Sequence, residues 1–278
     1  MDKIRFGRTK LEVSRLCFGT EPFTIPKGTA DQKIGGDVSP EKAGRMLKNA
    51  LELGVNFWDT SNDYGTHPHV AEGLRLVPRR EVVIADKSYA KTTEDAKADL
   101  KKSLTELDTD YIDIMLLHYV PYHAKREHNT LSTKYIELGN LEQRLEALKT
   151  FCEAKESGVV RAVGLSTHST KVVKAASAMP EIDVICTILN KVGAWIEDGT
   201  LTEHISAIKG AYEAGKAVYV IKLLNAGKLR SKSESSLRFA FQQHLFINAF
   251  NIGMYSVDEV KTNVRLLGAV LQKKLSSE

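Results

Sequence analysis

Along the 278 residues, apolar runs rich in β-branched side chains alternate with stretches whose apolar positions recur at helical spacing. Eight runs read as strands, over 16–20, 56–60, 82–87, 111–118, 159–166, 183–190, 217–223 and 248–253. Runs such as VVIAD and YIDIMLLH are nearly continuously apolar, the pattern of a parallel strand covered on both faces. Between the runs, Ala43, Met46, Leu47, Ala50 and Leu51 share a helical face, as do Leu141, Leu145, Leu148 and Cys152. Leu201, Ile205, Ile208 and Tyr212 form a third such face, and Val257, Val260, Val264 and Leu267 a fourth. Gly54 and Gly215 follow two of these helices, where a left-handed C-cap is wanted. Eight strands, each followed by a helix, predict an α/β fold of the (β/α)8 TIM-barrel type, one domain over 1–278. A doubly wound open sheet is the alternative, but it calls for a glycine-rich first turn, and the chain has no G-x-G-x-x-G.

Before the first barrel strand, Ile4–Phe6, Gly7-Arg8-Thr9 and Leu11–Val13 read as an N-terminal β-hairpin plugging the barrel's lower end. Two long polar connections, 21–39 and 119–139, follow strands and so belong to the catalytic face. Residues 275–278 read as a frayed tail.

Composition narrows the picture. A 42% hydrophobic, 27% charged chain with net charge +4 is ordinary for a water-soluble protein. The positive charge is spread along the chain, which predicts no nucleic-acid partner. No apolar run reaches membrane-spanning length and no leader is visible, so the expectation is a cytoplasmic protein with no membrane partner. Cys17, Cys152 and Cys186 are odd in number and far apart, which fits a reducing compartment and neither a disulfide framework nor a metal site. The sequence does not decide between a monomer and a small homo-oligomer.

Candidate chemistry gathers at three strand ends. NFWDTSNDYG (56–65) runs a strand into Asp59 and places Tyr64 in the following turn of Ser61, Asn62, Asp63 and Gly65. The next strand ends near Lys87 and the one after at His118. Singly, each has a structural reading: a capping Asp, a packing Tyr, a Lys leaving a strand, a core His. In a barrel all four converge at the C-terminal face. A free tyrosine has a pKa of ~10. A buried ammonium beside it favours the phenolate, and an Asp beside the Lys keeps that ammonium charged. With a His to orient a carbonyl oxygen, the set can protonate a developing alkoxide, which is half of a carbonyl reduction.

Here the chain resembles the aldo-keto reductase family over roughly residues 3–268. FGRTKLEVSRLCFGT is similar to that family's hairpin and first strand, and NFWDTSNDYG to its Asp-Tyr motif. DLKKSLTELDTDYIDIMLLH resembles its third helix and fourth strand, ESGVVRAVGLSTHS its fifth strand, and GMYSVDEVKTNV its phosphate-binding turn. The resemblance implies a catalytic tetrad of Asp59, Tyr64, Lys87 and His118, with Tyr64 the proton donor. It further implies an NADP(H) or NAD(H) cofactor extended across the barrel mouth. Cofactor contacts are then expected from Gly19, Thr20, Asp59, Ser166, Thr167, Asn190 and Lys222. Gly253, Met254, Tyr255, Ser256, Glu259 and Asn263 are expected to contact it around the last turn. The chain departs from the family pattern in several places. Thr167 stands for an Asn, Cys186 for a Gln, Lys222 for a stacking aromatic, and Glu259 for an Arg that reads a 2′-phosphate. STH and IKLLNAGKL resemble a subgroup carrying a ferredoxin tail, but no cysteines follow here, so no iron–sulfur cluster is expected.

Other features have plainer readings. His67 and His69 in THPHV read as exposed loop histidines rather than metal ligands, with Pro68 opening a short helix. The 122–135 segment reads as a solvated lid, with steering of an anionic substrate the lesser alternative. Phe23, Tyr89, Tyr119 and Trp195 read equally as pocket lining or packing.

The leading reading is an NAD(P)H-dependent enzyme that interconverts aldehydes or ketones with alcohols, its partner a small carbonyl or alcohol substrate. A nicotinamide-binding sensor or accessory subunit with little turnover is the alternative. A barrel isomerase or lyase without nicotinamide is a third.

Overall fold

The computed structural model describes residues 1, 3–24, 38–129 and 134–275. The chain begins with an antiparallel hairpin, β1 (Lys3–Arg5) paired with β2 (Glu12–Ser14). Four barrel strands follow, β3 (Leu16–Gly19), β4 (Phe57–Asp59), β5 (Val83–Ser88) and β6 (Ile112–Leu117). Next comes an antiparallel ribbon of β7 (Lys125–Asn129) and β8 (Lys134–Leu138). The remaining barrel strands are β9 (Val160–Thr167), β10 (Val184–Ile188), β11 (Ala217–Ile221) and β12 (Ala249–Gly253). The eight barrel strands are parallel and close in a ring, with β12 pairing back onto β3. Each of the eight expected runs supplies one of them, six trimmed at the ends and two, β5 and β9, shifted one residue toward the C-terminus, and the open-sheet alternative falls with the closure.

Helices α1 (Pro40–Glu52), α2 (His67–Arg75), α3 (Thr93–Leu107) and α4 (Leu145–Glu156) cover one half of the ring. Helices α5 (Thr170–Ala178), α6 (Leu201–Glu213), α7 (Ser233–Phe241) and α8 (Val257–Leu275) cover the other. Local chemistry sets their ends. Ser39 caps α1 by accepting from Lys42 N, and Thr200 with Glu203 forms a reciprocal capping box on α6. Gly54 and Gly215 take left-handed φ values of 84° and 80° just past α1 and α6, as their spacing predicts. Of the two long connections, residues 25–37 lie outside the described residues, while 119–139 carries the β7–β8 ribbon that the lid reading did not anticipate. Of the expected tail, Leu275 is the last residue of α8 and the rest lies outside the described residues. No helix among the described residues is long and apolar enough to cross a membrane.

The core has two layers. One lies between ring and helices, and the other fills the barrel. The hairpin belongs to the second: Phe6, Leu11 and Val13 pack with Phe57, Ile114, Val184, Ala217 and Tyr219. The Phe6 ring meets Phe57 edge-on at 5.4 Å and Tyr219 at 6.3 Å. A plug so buried contributes stability directly. Phe6→Ala is expected to cost about 3–5 kcal/mol in chemical unfolding. A loss below about 1 kcal/mol would mean that the barrel floor closes without it.

Candidate active site

Barrel register brings the ends of β4, β5 and β6 together. Asp59 ends β4, opposite Ala85 of β5, and Lys87 lies two residues further along β5, opposite Leu116. Lys87 Nζ donates to Asp59 Oδ1 at 2.6 Å and to the Thr60 carbonyl at 2.6 Å. The other Asp59 oxygen accepts from the Tyr219 hydroxyl at 2.8 Å, across the barrel interior from β11. Lys87 and Tyr219 have no solvent exposure and Asp59 has 2%. Burial works against the ammonium, but Asp59 outweighs it and raises the Lys87 pKa. Burial likewise raises Tyr219, with Asp59 adding to it, so Tyr219 remains a donor.

Tyr64 is buried in the turn after β4, and its ring lies beneath the Lys87 ammonium, Nζ standing 4.8 Å from the centroid. The expected acidification of this phenol is not what the geometry produces. Burial first, then the negative charges of Glu21, Asp59 and Asp63, push the Tyr64 pKa well above 10. The Lys87 protons are directed at Asp59 and Thr60, and its charge faces the ring.

His118 follows β6 directly. Its ring stacks on Tyr89 at 4.7 Å and meets Tyr64 edge-on at 5.6 Å. His118 Nδ1 lies 3.0 Å from Ser61 Oγ and 3.2 Å from Asp63 Oδ1. Burial opposes ionisation of Asp63, but the charge and hydrogen bond of His118 win, and its pKa falls to about 2. Behind this cluster the buried Arg144 guanidinium donates to the carbonyls of Ala90 (3.0 Å), His118 (2.8 Å) and Ser88 (2.6 Å). It ties the exits of β5 and β6 to the start of α4. Desolvation lowers its pKa to about 10. Ser61, Asp63, Arg144 and Tyr219 were not singled out as site residues from sequence, while Tyr89 was read there as pocket lining or packing.

Across the mouth, Tyr119, His168 and Trp195 form an aromatic row, with centroids 4.4 Å apart for the first pair and 6.4 Å for the second. Lys125 lies over the Tyr119 ring and Lys222 over the Trp195 ring, each 5.0 Å from the centroid. The Tyr119 hydroxyl donates to Glu197 at 2.9 Å, and Lys125 also pairs with Glu197. Burial, then the lysine charges, hold the His168 pKa well below its usual value. Phe23 is not at the mouth: it packs in the core against Phe18 and His69.

The residues expected to hold a cofactor are distributed as follows. Gly19 closes β3 beside Gly253 of β12. The Thr20 hydroxyl donates to the Asp59 carbonyl at 2.9 Å. Ser166 ends up at the exit of β9 with only a long 3.5 Å bond to the Leu117 carbonyl. Thr167 gives its hydroxyl to the Val120 carbonyl at 2.7 Å. The Asn190 amide clasps its own loop, donating to Ala194 O and accepting from Ala194 N. Cys186 is buried in the barrel interior, and burial pushes its thiol up to about 12. At the start of α8, Ser256 Oγ accepts from Glu259 N at 3.2 Å, and the Glu259 carboxylate accepts from Tyr255 N at 2.7 Å. Met254 and Asn263 are buried beside this turn.

The family model for the Aldo/keto reductase family matches residues 15–271. Among curated relatives, L-galactose dehydrogenase from Arabidopsis thaliana is 24% identical over 93% of this chain and 85% of its own. Methylglyoxal reductase DkgB from Salmonella typhi is 26% identical over 58% of this chain and 56% of its own. The holo form of an aldo-keto reductase from Bacillus halodurans superposes with a TM-score of 0.67 at 23% identity, covering 96% of this chain and 90% of that one. At that identity the superposition speaks for the fold.

The two histidines of THPHV are buried, not exposed. His67 opens α2 and bridges Asp86 of β5 (Nε2, 3.1 Å) and Glu106 of α3 (Nδ1, 2.8 Å), while His69 Nε2 meets the Val38 carbonyl at 2.8 Å. Among the described residues no acidic, His or Cys cluster has the form of a metal site. Burial disfavours the His67 imidazolium, but Asp86 and then Glu106 overcome it and raise its pKa. A raised folded-state pKa stabilises the protein below the unfolded value of ~6.5, and that contribution disappears as pH rises through the folded value. The stability gap between the wild type and His67→Gln is therefore expected to be widest near pH 6 and to narrow toward pH 9. Thermal unfolding of both across that range checks it, and a gap that widens with pH would contradict it.

Proposed function

The chain belongs to the aldo/keto reductase family of oxidoreductases, and from that premise we propose that it interconverts aldehydes or ketones with alcohols using NADH or NADPH. The observation that carries this reading is the convergence of Asp59, Lys87, Tyr64 and His118 on one side of the barrel mouth. When bound, a nicotinamide supplies or accepts the hydride. The protein's part is the proton and the carbonyl oxygen. Tyr64, whose phenol keeps its proton, is the acid for an alkoxide, a far stronger base than phenolate. Lys87 supplies a fixed positive charge nearby, and His118 orients the oxygen.

The donors at the mouth suit a dinucleotide. Ser166, with its hydroxyl weakly held, and the Lys222 ammonium suit the carboxamide, and the amino end of α8 suits a phosphate. Thr167 and Asn190 fit less well, since both spend their polar groups inside the protein. That commitment favours the second reading, a nicotinamide-binding sensor with slow turnover. One round of bound-cofactor oxidation without steady-state turnover would select it.

Tyr64→Phe is expected to lower kcat for carbonyl reduction by about 10²-fold or more, with cofactor affinity close to wild type. Retention of more than about a tenth of kcat would remove Tyr64 from the acid role.

Glu259 bears on which dinucleotide is used. Its carboxylate occupies the Tyr255 N–H, a donor a phosphate would otherwise take. A 2′-phosphate placed beside it meets a like charge, which costs a few kcal/mol even at an effective dielectric of ~20. NADH is expected to bind at least as tightly as NADPH, and Glu259→Arg to shift preference toward NADPH. Paired dissociation constants at one ionic strength test this. Wild-type NADPH binding about tenfold tighter, or some 1.4 kcal/mol, would place another cation at the phosphate.

A further inference from the structure

We propose that Asp63, with Ser61, is a positioning pair for His118, fixing a proton on Nδ1 so that Nε2 is the nitrogen presented to the substrate oxygen. This rests on the reductase reading above and adds to it the residues that set the state of the histidine.

The geometry leaves one consistent assignment of hydrogens. His118 Nδ1 faces Asp63 Oδ1 at 3.2 Å and Ser61 Oγ at 3.0 Å. The Ser61 hydroxyl donates to Asp63 Oδ1, with the Lys87 carbonyl at 3.2 Å as its second acceptor. Its hydrogen is thus aimed away from the imidazole, and its lone pairs toward it. Asp63 is ionised and offers only acceptors. Both partners of Nδ1 therefore accept, and Nδ1 must donate. The backbone is fixed as well: His118 N donates to the Ser88 carbonyl at 2.7 Å, and the His118 carbonyl takes Arg144.

That assignment determines what His118 does. Charged, it offers Nε2–H to a carbonyl oxygen about to receive a hydride. Neutral, it offers the Nε2 lone pair to the hydroxyl of an alcohol about to lose one. In both forms Asp63 accepts from Nδ1, so the same ring nitrogen faces the substrate. Among the described residues, the rings of Tyr64 and Tyr89 pack against the imidazole.

Two measurements on the full chain test this. Nitrogen-15 NMR of the free protein should show His118 with Nδ1 protonated in the wild type, and a shift toward the Nε2–H tautomer in Asp63→Ala. In steady-state reduction, Asp63→Asn keeps an acceptor and removes the charge. Its kcat at neutral pH should fall several-fold, with KM little changed. Should Asp63→Ala not fold, Ser61→Ala with Asp63→Asn carries the NMR comparison. An unchanged tautomer in Asp63→Ala together with an unchanged kcat in Asp63→Asn would overturn the proposal. The NMR readout stands whether or not the protein reduces carbonyls, so failure of the reductase reading is recognised separately.

Discussion

Two opposite charges buried inside the barrel, Lys87 and Asp59, constrain everything around them. Removing each from water costs several kcal/mol, which a single contact does not repay. Lys87 accordingly has two acceptors at 2.6 Å, and Asp59 has a donor on each oxygen. These partners come from β4, the turn after it, β5 and β11, and Tyr219 is separated from Asp59 by 160 positions. Only a closed ring places β11 across from β4. The ion pair is therefore correct only when the whole barrel is correct, and its cost tells against open or misregistered arrangements of the same strands.

The same pair also stands against Tyr64. With both of its short bonds committed to oxygen, the ammonium meets the phenol through the ring face, where it attracts the quadrupole. The phenol is left in a dry site edged by carboxylates, and its proton is held tightly. Raising the pKa weakens the phenol as an acid, but an alkoxide is a strong enough base to take the proton all the same. The imidazole that meets the tyrosine edge-on is His118.

The barrel was legible because a parallel strand covered on both faces declares itself as an apolar run, and eight such runs spaced by helical patterns leave few alternatives. The convergence of Asp59, Tyr64, Lys87 and His118 was legible because strand ends of a barrel share one face. What was not legible depended on partners far away in sequence. Tyr219 sits in AVYVI as one more apolar residue, and its hydroxyl's partner is visible only in the closed ring. Arg144 looks like the polar side of an amphipathic segment, yet it is buried because three carbonyls converge on it. THPHV looks polar and exposed until Asp86 and Glu106 arrive from β5 and α3. The β7–β8 ribbon was not legible because β7, KREHN, sets charged residues and a histidine in successive positions, with no alternation to read. Asp63 passed for a turn former, which it also is.

The turn that carries Ser61, Asp63 and Tyr64 owes its shape to surrounding elements more than to its own residues. Asn62 N donates to the Lys87 carbonyl at 3.0 Å, and Asn62 Nδ2 reaches Ser103 Oγ of α3 at 2.9 Å. Lys102 of α3 returns a bond to the Asn62 carbonyl at 2.9 Å, and Thr24 donates to the Tyr64 carbonyl from the far side. Catalytic geometry tolerates errors of only about 0.5 Å, so a five-residue turn must be held from several directions. Here β5 holds it from below, α3 from outside and the segment after β3 from above. Helix α3 is thereby coupled to the position of the phenol: sliding it along β5 would pull Asn62, and with it the adjacent Asp63 and Tyr64, of which the first faces His118 while the second lies under Lys87.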